Sequence, residues 1–257
     1  MCLAFSFTRD VLVSDAKVEF VEFKEKNLKG YTLIEGFPGM GLVGTIAGKY
    51  LVEKLKFSQA GYIDSNSFMP VIRIHHGVPI RPARIYVLDS KKLAIIISEQ
   101  VIPKQHIYSF AKKVVEWVQK KGFSRMISLS GLHSYDENQK IVYGIAANDN
   151  SVEFLKKHGL EVIDEGITTG ITALILLELK KTNIEAFSLL GNVRNAADYQ
   201  SAAEILKKLS EVIDVPLDVE PLLKEAQQIE KDITTQMKKV KDTKDSVERF
   251  EPTTMLT

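Results

Sequence analysis

The sequence predicts an α/β fold, with helical layers on a largely parallel central sheet and one long helix extending the C-terminal end. Three observations lead there. Strand-like and helix-like segments alternate through residues 18–213, the order that builds parallel sheets with covering helices. Lys92-Leu-Ala-Ile-Ile-Ile-Ser98 is a continuous apolar run, as in a strand buried on both faces. Past Val215-Pro216 the strand signals stop, and apolar residues recur at heptad spacing.

In chain order, Val18 to Lys24 mixes apolar and acidic residues and reads as a first, edge strand. Tyr31 to Glu35 is a second strand, followed by a glycine-rich turn and a helix to about Lys56; Ala60 to Asp64 is a third strand. Met69–His76 and Ala83–Asp89 are β-rich segments joined by the loop Gly77–Pro82. Pro103 can open the next helix, because proline is tolerated in a first turn. Tyr108, Val114, Val115, Trp117 and Val118 form the apolar face of that helix, and paired lysines form its wet face. Strands follow at Arg125–Ser130 and Val142–Ala147, then a short helix ending at His158-Gly159, where glycine suits a C-cap. Thr168–Lys181 reads as an apolar helix, Ile184–Leu190 as a strand and Tyr199–Ile213 as an amphipathic helix.

Length and composition narrow the function classes. A chain of 257 residues, 45% hydrophobic and 26% charged, can bury a sizeable core. The net charge of +1, with both signs interspersed, argues against a general nucleic-acid binder. Cys2 is the single cysteine, which excludes intrachain disulfides and a thiolate metal cage and points to a reducing cytoplasm. No apolar run approaches the roughly 20 residues a bilayer span needs. The apolar start, Met1 to Phe7, has its first basic residue after it, which argues against a secretory signal.

The domain reading is an α/β body over residues 1–215 and a projecting helix and tail over 216–257. Ala226, Ile233, Val240 and Val247 recur every seven residues, interleaved with Leu222, Ile229, Gln236, Thr243 and Phe250. Together they make one seam, weakened midway by Gln236 and Thr243. As a helix, Leu217 to Phe250 would be about 50 Å long, longer than a small domain is wide. It reads either as a packed C-terminal helix with a solvated face or, the favoured reading, as a projecting arm that needs a partner.

The turn Gly36-Phe-Pro-Gly-Met-Gly-Leu-Val-Gly44 contains G-x-G-x-x-G (Gly39, Gly41, Gly44) between a strand and a helix. A dinucleotide site would use those glycines, with Asp64 as its ribose-binding acid. Against that, Pro38 removes a backbone N–H from any phosphate cradle. The other role of the glycines, including Gly36, is positive φ and close helix–sheet packing.

This turn also resembles the N-terminal hallmark of the proteasome assembly chaperone 2 family. The similarity continues through Ile127–Gly131, Tyr143–Ala147, Glu165–Gly170 and the helix after Asp198–Ala202. The resemblance implies a three-layer α/β/α domain like the nucleoside phosphorylases, in which the glycine turn is a fold feature. It further implies self-assembly into a small ring or tetramer and binding to proteasome α-subunits or the 20S core. Relatives that engage the core end in a hydrophobic–tyrosine–any tripeptide that docks between α-subunits. Here the chain ends Met255-Leu256-Thr257: Met255 fits the hydrophobic slot, Thr257 supplies the carboxylate, and Leu256 stands where tyrosine would be, without its polar handle.

The remaining chemistry is sparse. His75 and His76 are adjacent, so in a strand they would point to opposite faces, and His106, His133 and His158 are scattered without metal-ligand spacing. Ser128-Leu-Ser-Gly-Leu-His133 lacks a nucleophile elbow. The expectation is a protein with no catalytic residues, cofactor or metal, acting as an ATP-independent proteasome chaperone or adaptor, and able to hold unfolded clients on the seam of its arms. The rivals are a nucleotide-dependent enzyme built on Gly39–Gly44 and Asp64, and an oligomeric scaffold whose tails pair only with one another.

Overall fold

The computed structural model describes residues 17–133 and 141–225. The chain opens with β1 (Val18–Glu22) and β2 (Thr32–Gly36), turns through Met40–Leu42 into α1 (Val43–Lys54), and returns as β3 (Ser58–Ser65). A small hairpin, β4 (Arg73–His75) and β5 (Val78–Ile80), precedes β6 (Ala83–Leu88) and β7 (Leu93–Ser98). Next come α2 (Ile107–Lys121), β8 (Arg125–Leu132), β9 (Val142–Ala146), α3 (Asp149–Lys157) and β10 (Glu161–Val162). The sequence of elements closes with α4 (Ile171–Leu179), β11 (Glu185–Asn192) and α5 (Tyr199–Val212).

Nine strands form one sheet in the order β1-β3-β6-β7-β2-β8-β11-β9-β10. Its centre, β7-β2-β8-β11, is parallel. Both flanks join by antiparallel pairing: β6 to β7, β3 to β6 and β1 to β3 on one side, and β9, with β10 parallel to it, to β11 on the other. Connection length explains the difference. β6 reaches β7 through a single turn at Asp89–Lys91, which only an antiparallel pair can use, whereas parallel neighbours need a crossover through a covering layer.

All six residues of β7 are buried, as their apolar run requires. One core cluster packs α2 and α4 on one face of the sheet, and a second packs α1, α3 and α5 on the other. Edge strand β1 is held by the Phe20 ring stacked on Trp117 at 4.7 Å and by Lys121 paired with Glu22 at 2.7 Å.

Four differences from the sequence reading have physical causes. Tyr108, assigned to the apolar face of α2, is 53% exposed while Val114, Val115, Trp117 and Val118 are buried; it lies in the first turn, at the open end of the helix. α4 starts at Ile171 rather than Thr168, because Gly170, with φ of +92°, breaks the backbone just before it. The body also runs past residue 215: Val219 and Leu222 are 3% and 2% exposed in the second core cluster, and the Tyr50 hydroxyl donates to the Asp218 carbonyl at 2.7 Å. Leu222 is therefore core rather than arm seam. Helical structure resumes at residue 220, with Pro221 in a first turn, where proline is tolerated. Ala226, Ile229, Ile233, Val240, Val247 and Phe250 lie outside the described residues, as do Met255, Leu256 and Thr257.

Candidate functional site

The glycine turn joins β2 to α1 at the C-terminal end of the parallel strands. A Cβ added at Gly44 would lie 2.3 Å from the Leu129 carbonyl oxygen, and one at Gly36 would lie 2.5 Å from the Gly44 oxygen. Helix α1 thus approaches the sheet more closely than any side chain allows. Gly41 has φ of +63°, and its added Cβ would meet Val193 at 2.7 Å. Its carbonyl accepts the Asp198 N–H at 2.8 Å. Asp198 in turn caps α5, accepting from the Ser201 N–H at 2.8 Å and the Arg194 N–H at 2.7 Å. The outer side of the turn is therefore covered by the β11–α5 connection.

Two of its amides are also engaged internally. The Leu42 N–H donates to Gly39 O at 3.0 Å, and the Val43 N–H donates to Met40 O. With Pro38 lacking an N–H, little of a phosphate cradle is left. Asp64 is not beside the turn. It sits on β3, separated from β2 by β6 and β7, a lateral distance of about 14 Å at ~4.8 Å per strand, and its carboxylate accepts from Arg81 at 3.0 Å. A dinucleotide fold needs its acid on the strand next to the glycine turn, so this pairing is corrected.

Beneath the turn lies a residue that sequence reading passed over. Glu35 is fully buried on β2. Its Oε1 accepts the Phe37 N–H at 2.7 Å, and its Oε2 accepts the Thr172 hydroxyl at 3.2 Å. Burial raises its carboxyl above the usual range, against those two hydrogen bonds. The signal available in the sequence was an acid inside an apolar strand just before a glycine turn.

Above it opens a cleft of about 560 Å³, lined by Pro38 and Gly39 of the turn, Ser130 near the end of β8, His133 just after it, and most of residues 163–172 at the entry to α4. Open α/β sheets bind ligands at this end. Ser130, His133 and Asp164 all line the cleft, but no hydrogen bond links them to one another among the described residues. A nucleophile, base and orienting acid would need such links. His75 and His76 do come together, with ring centroids 4.2 Å apart, because His76 turns the hairpin with φ of +48° instead of continuing a strand. Among the described residues no group of three potential ligands could hold a metal ion, and no helix is long and apolar enough to cross a membrane.

The β4–β5 hairpin stands at the same end and, among the described residues, pairs with no other strand. It is tied to the body at its base. Gln100 Nε2 donates to Met69 O at 2.8 Å, and Arg73 pairs with Glu99. Glu99 also meets Lys49 at 2.5 Å and Arg84 at 3.4 Å. Burial works against the Glu99 anion, but the Lys49 and Arg84 cations hold its carboxyl below the usual range.

A family model described as the PAC2 family matches residues 33–237. An uncharacterised protein of Methanocaldococcus jannaschii is 30% identical over 214 residues, which covers 83% of this chain and 88% of that protein. Proteasome assembly chaperone 2 of Xenopus tropicalis is 25% identical over 143 residues, 52% of this chain but only 55% of that protein. Among solved structures, Pyrococcus furiosus PbaA, an archaeal homolog of proteasome-assembly chaperone, matches with a TM-score of 0.80 and 28% identity over 93% of this chain and 99% of its own.

Proposed function

The chain belongs to the PAC2 family, and from that premise we propose that it is a proteasome assembly chaperone or adaptor. It binds proteasome α-subunits or the 20S core in the cytoplasm without ATP and without turning over a substrate. The observation that carries this reading is the likeness to PbaA, which spans nearly the whole of both chains in sequence and fold. The glycine turn supports it from the other side, since Gly36 and Gly44 leave no room for a side chain where α1 meets the sheet, and the Leu42 and Val43 amides are bonded within the turn.

The chain acts as a homo-oligomer, with a tetramer as the favoured form, and its C-terminal segments dock the core through Met255, Leu256 and Thr257. Several weak contacts held on one assembly raise the effective concentration of each, which offsets the missing tyrosine at Leu256. The apolar seam beyond residue 225 is where unfolded clients would be held. Capture of purified 20S core by the full chain, compared with a chain lacking Met255 to Thr257, tests the docking element. Recovery should fall at least tenfold on deletion; equal recovery from both would reject tail docking while leaving core binding in place.

A further inference from the structure

Exposed apolar side chains gather at one end of this molecule. The β4–β5 hairpin lies between β3 and β6 in the chain, and Val101 directly follows β7; Met40 follows β2, and Ile167 leads into α4. All of these positions are at the end where the parallel strands finish. On the hairpin segment Met69, Val71, Ile72, Ile74 and Val78 are each between 49% and 63% exposed. At about 100 Å² apiece they leave on the order of 500 Å² of apolar surface bare, the upper end of what a monomer tolerates. An isolated two-stranded hairpin is also marginal in water. This one is fixed at its base and uncovered beyond it.

Across the same end, the cleft offers a complementary surface. Its lip, residues 163–170, is exposed from Asp164 onward, and Ile167 is 97% exposed. Charge is matched across the two surfaces. From Met69 to Pro82 the hairpin segment contains Arg73, His75, His76 and Arg81 and no acid. The lip contains Asp164 and Glu165 and no base. Among the described residues, neither histidine of the hairpin and neither acid of the lip makes an ion pair.

We propose that the hairpin of one copy of this chain seats in the cleft of another, with Ile72 and Ile74 on one hairpin face against Ile167 and the cleft floor, and with His75, which shares the other face with Val78, and His76 facing Asp164 and Glu165. Either a reciprocal two-fold pair or a closed ring satisfies such a contact, because knob and hole lie on separate parts of each copy. The cleft is then an assembly socket rather than a small-molecule site. This deepens the self-assembly part of the proposed function. Its readout is mass rather than proteasome capture, so the two can fail separately.

Native mass spectrometry and light scattering of the full-length chain test it with Ile74→Asp, which alters the hairpin, and Ile167→Asp, which alters the lip. Both sites are exposed, so each variant should keep the circular-dichroism spectrum of the parent, while its melting temperature falls only by what the lost subunit contact contributed. The parent should be oligomeric and each variant monomeric at the same concentration. An equal mixture of the two variants should regain a dimer holding one copy of each, since the hairpin of the Ile167→Asp chain and the cleft of the Ile74→Asp chain are both intact. A monomeric parent, variants that keep the parent mass, or a mixture that stays monomeric would each overturn the proposal. Should Ile74→Asp unfold, Glu165→Lys must still lower the oligomer fraction at low salt; an unchanged fraction would also overturn it.

Discussion

Gly44 and Gly39 share one motif, yet the structure gives them different duties. The space for a Gly44 side chain is taken by the Leu129 carbonyl, a backbone group that cannot step aside. Gly39 faces the cleft, and its added Cβ would have the Ser130 hydroxyl as nearest neighbour at 3.3 Å, which a small rotation relieves. Gly44→Ala should destabilise the fold by about 3 kcal/mol, and Gly39→Ala by less than about 1 kcal/mol, as read by urea unfolding. Equal effects would refute the packing role of the motif. At Glu35 the folded carboxyl titrates above its unfolded value. Its contribution to stability is therefore complete below the ordinary carboxylate range, about pH 4, and is lost as pH rises through the raised value. A glutamine fits the same bonds, with its carbonyl accepting from Phe37 and its amide donating to the Thr172 hydroxyl. Glu35→Gln should match the parent in melting temperature near about pH 4 and exceed it increasingly toward about pH 8. A gap that does not grow with pH would contradict this account of the burial.

Among the elements, those set by local pattern were legible in the sequence. The β7 run, the Gly159 end of the α3 turn and the packing role of the glycine turn could all be read from neighbouring residues. What depended on distant contacts was not legible. The antiparallel flanks follow from connection lengths and partner choice. The separation of Asp64 from β2 follows from strand order, which twenty residues of spacing cannot reveal. Leu222 kept the heptad rhythm of an arm while being buried in the second core cluster, because periodicity marks an apolar face but not what covers it. The hairpin is likewise held by long-range ties through Glu99. Glu99→Ala would leave Arg84, 3% exposed, without its acid and should cost about 3 kcal/mol. It should also speed protease cleavage within residues 69–80, because the Arg73 tie is lost. The sign with pH is opposite to that of Glu35. A lowered folded value means stability that is present above the ordinary carboxylate range and lost as pH falls through the lowered value, and Glu99→Gln should lack that acid limb. If Glu99→Ala melts with the parent, the cluster has no anchoring role.

For the whole molecule, both faces of the sheet are spent on core, and the glycine turn is spent on holding a helix. Among the described residues, exposed apolar surface is left mainly at one end of the body. That distribution suits a protein that acts by holding other proteins, and it accounts for how little catalytic chemistry the sequence offered. The resemblance carried by the glycine turn named the family, whereas the tail proposed to dock the core lies outside the described residues and rests on the sequence. Co-sedimentation of labelled full-length chain with purified 20S core in nucleotide-free buffer tests the central claim most directly. Saturable binding, unchanged on adding ATP, is the predicted result; absence of binding to both the 20S core and isolated α-subunits at tens of micromolar would contradict it.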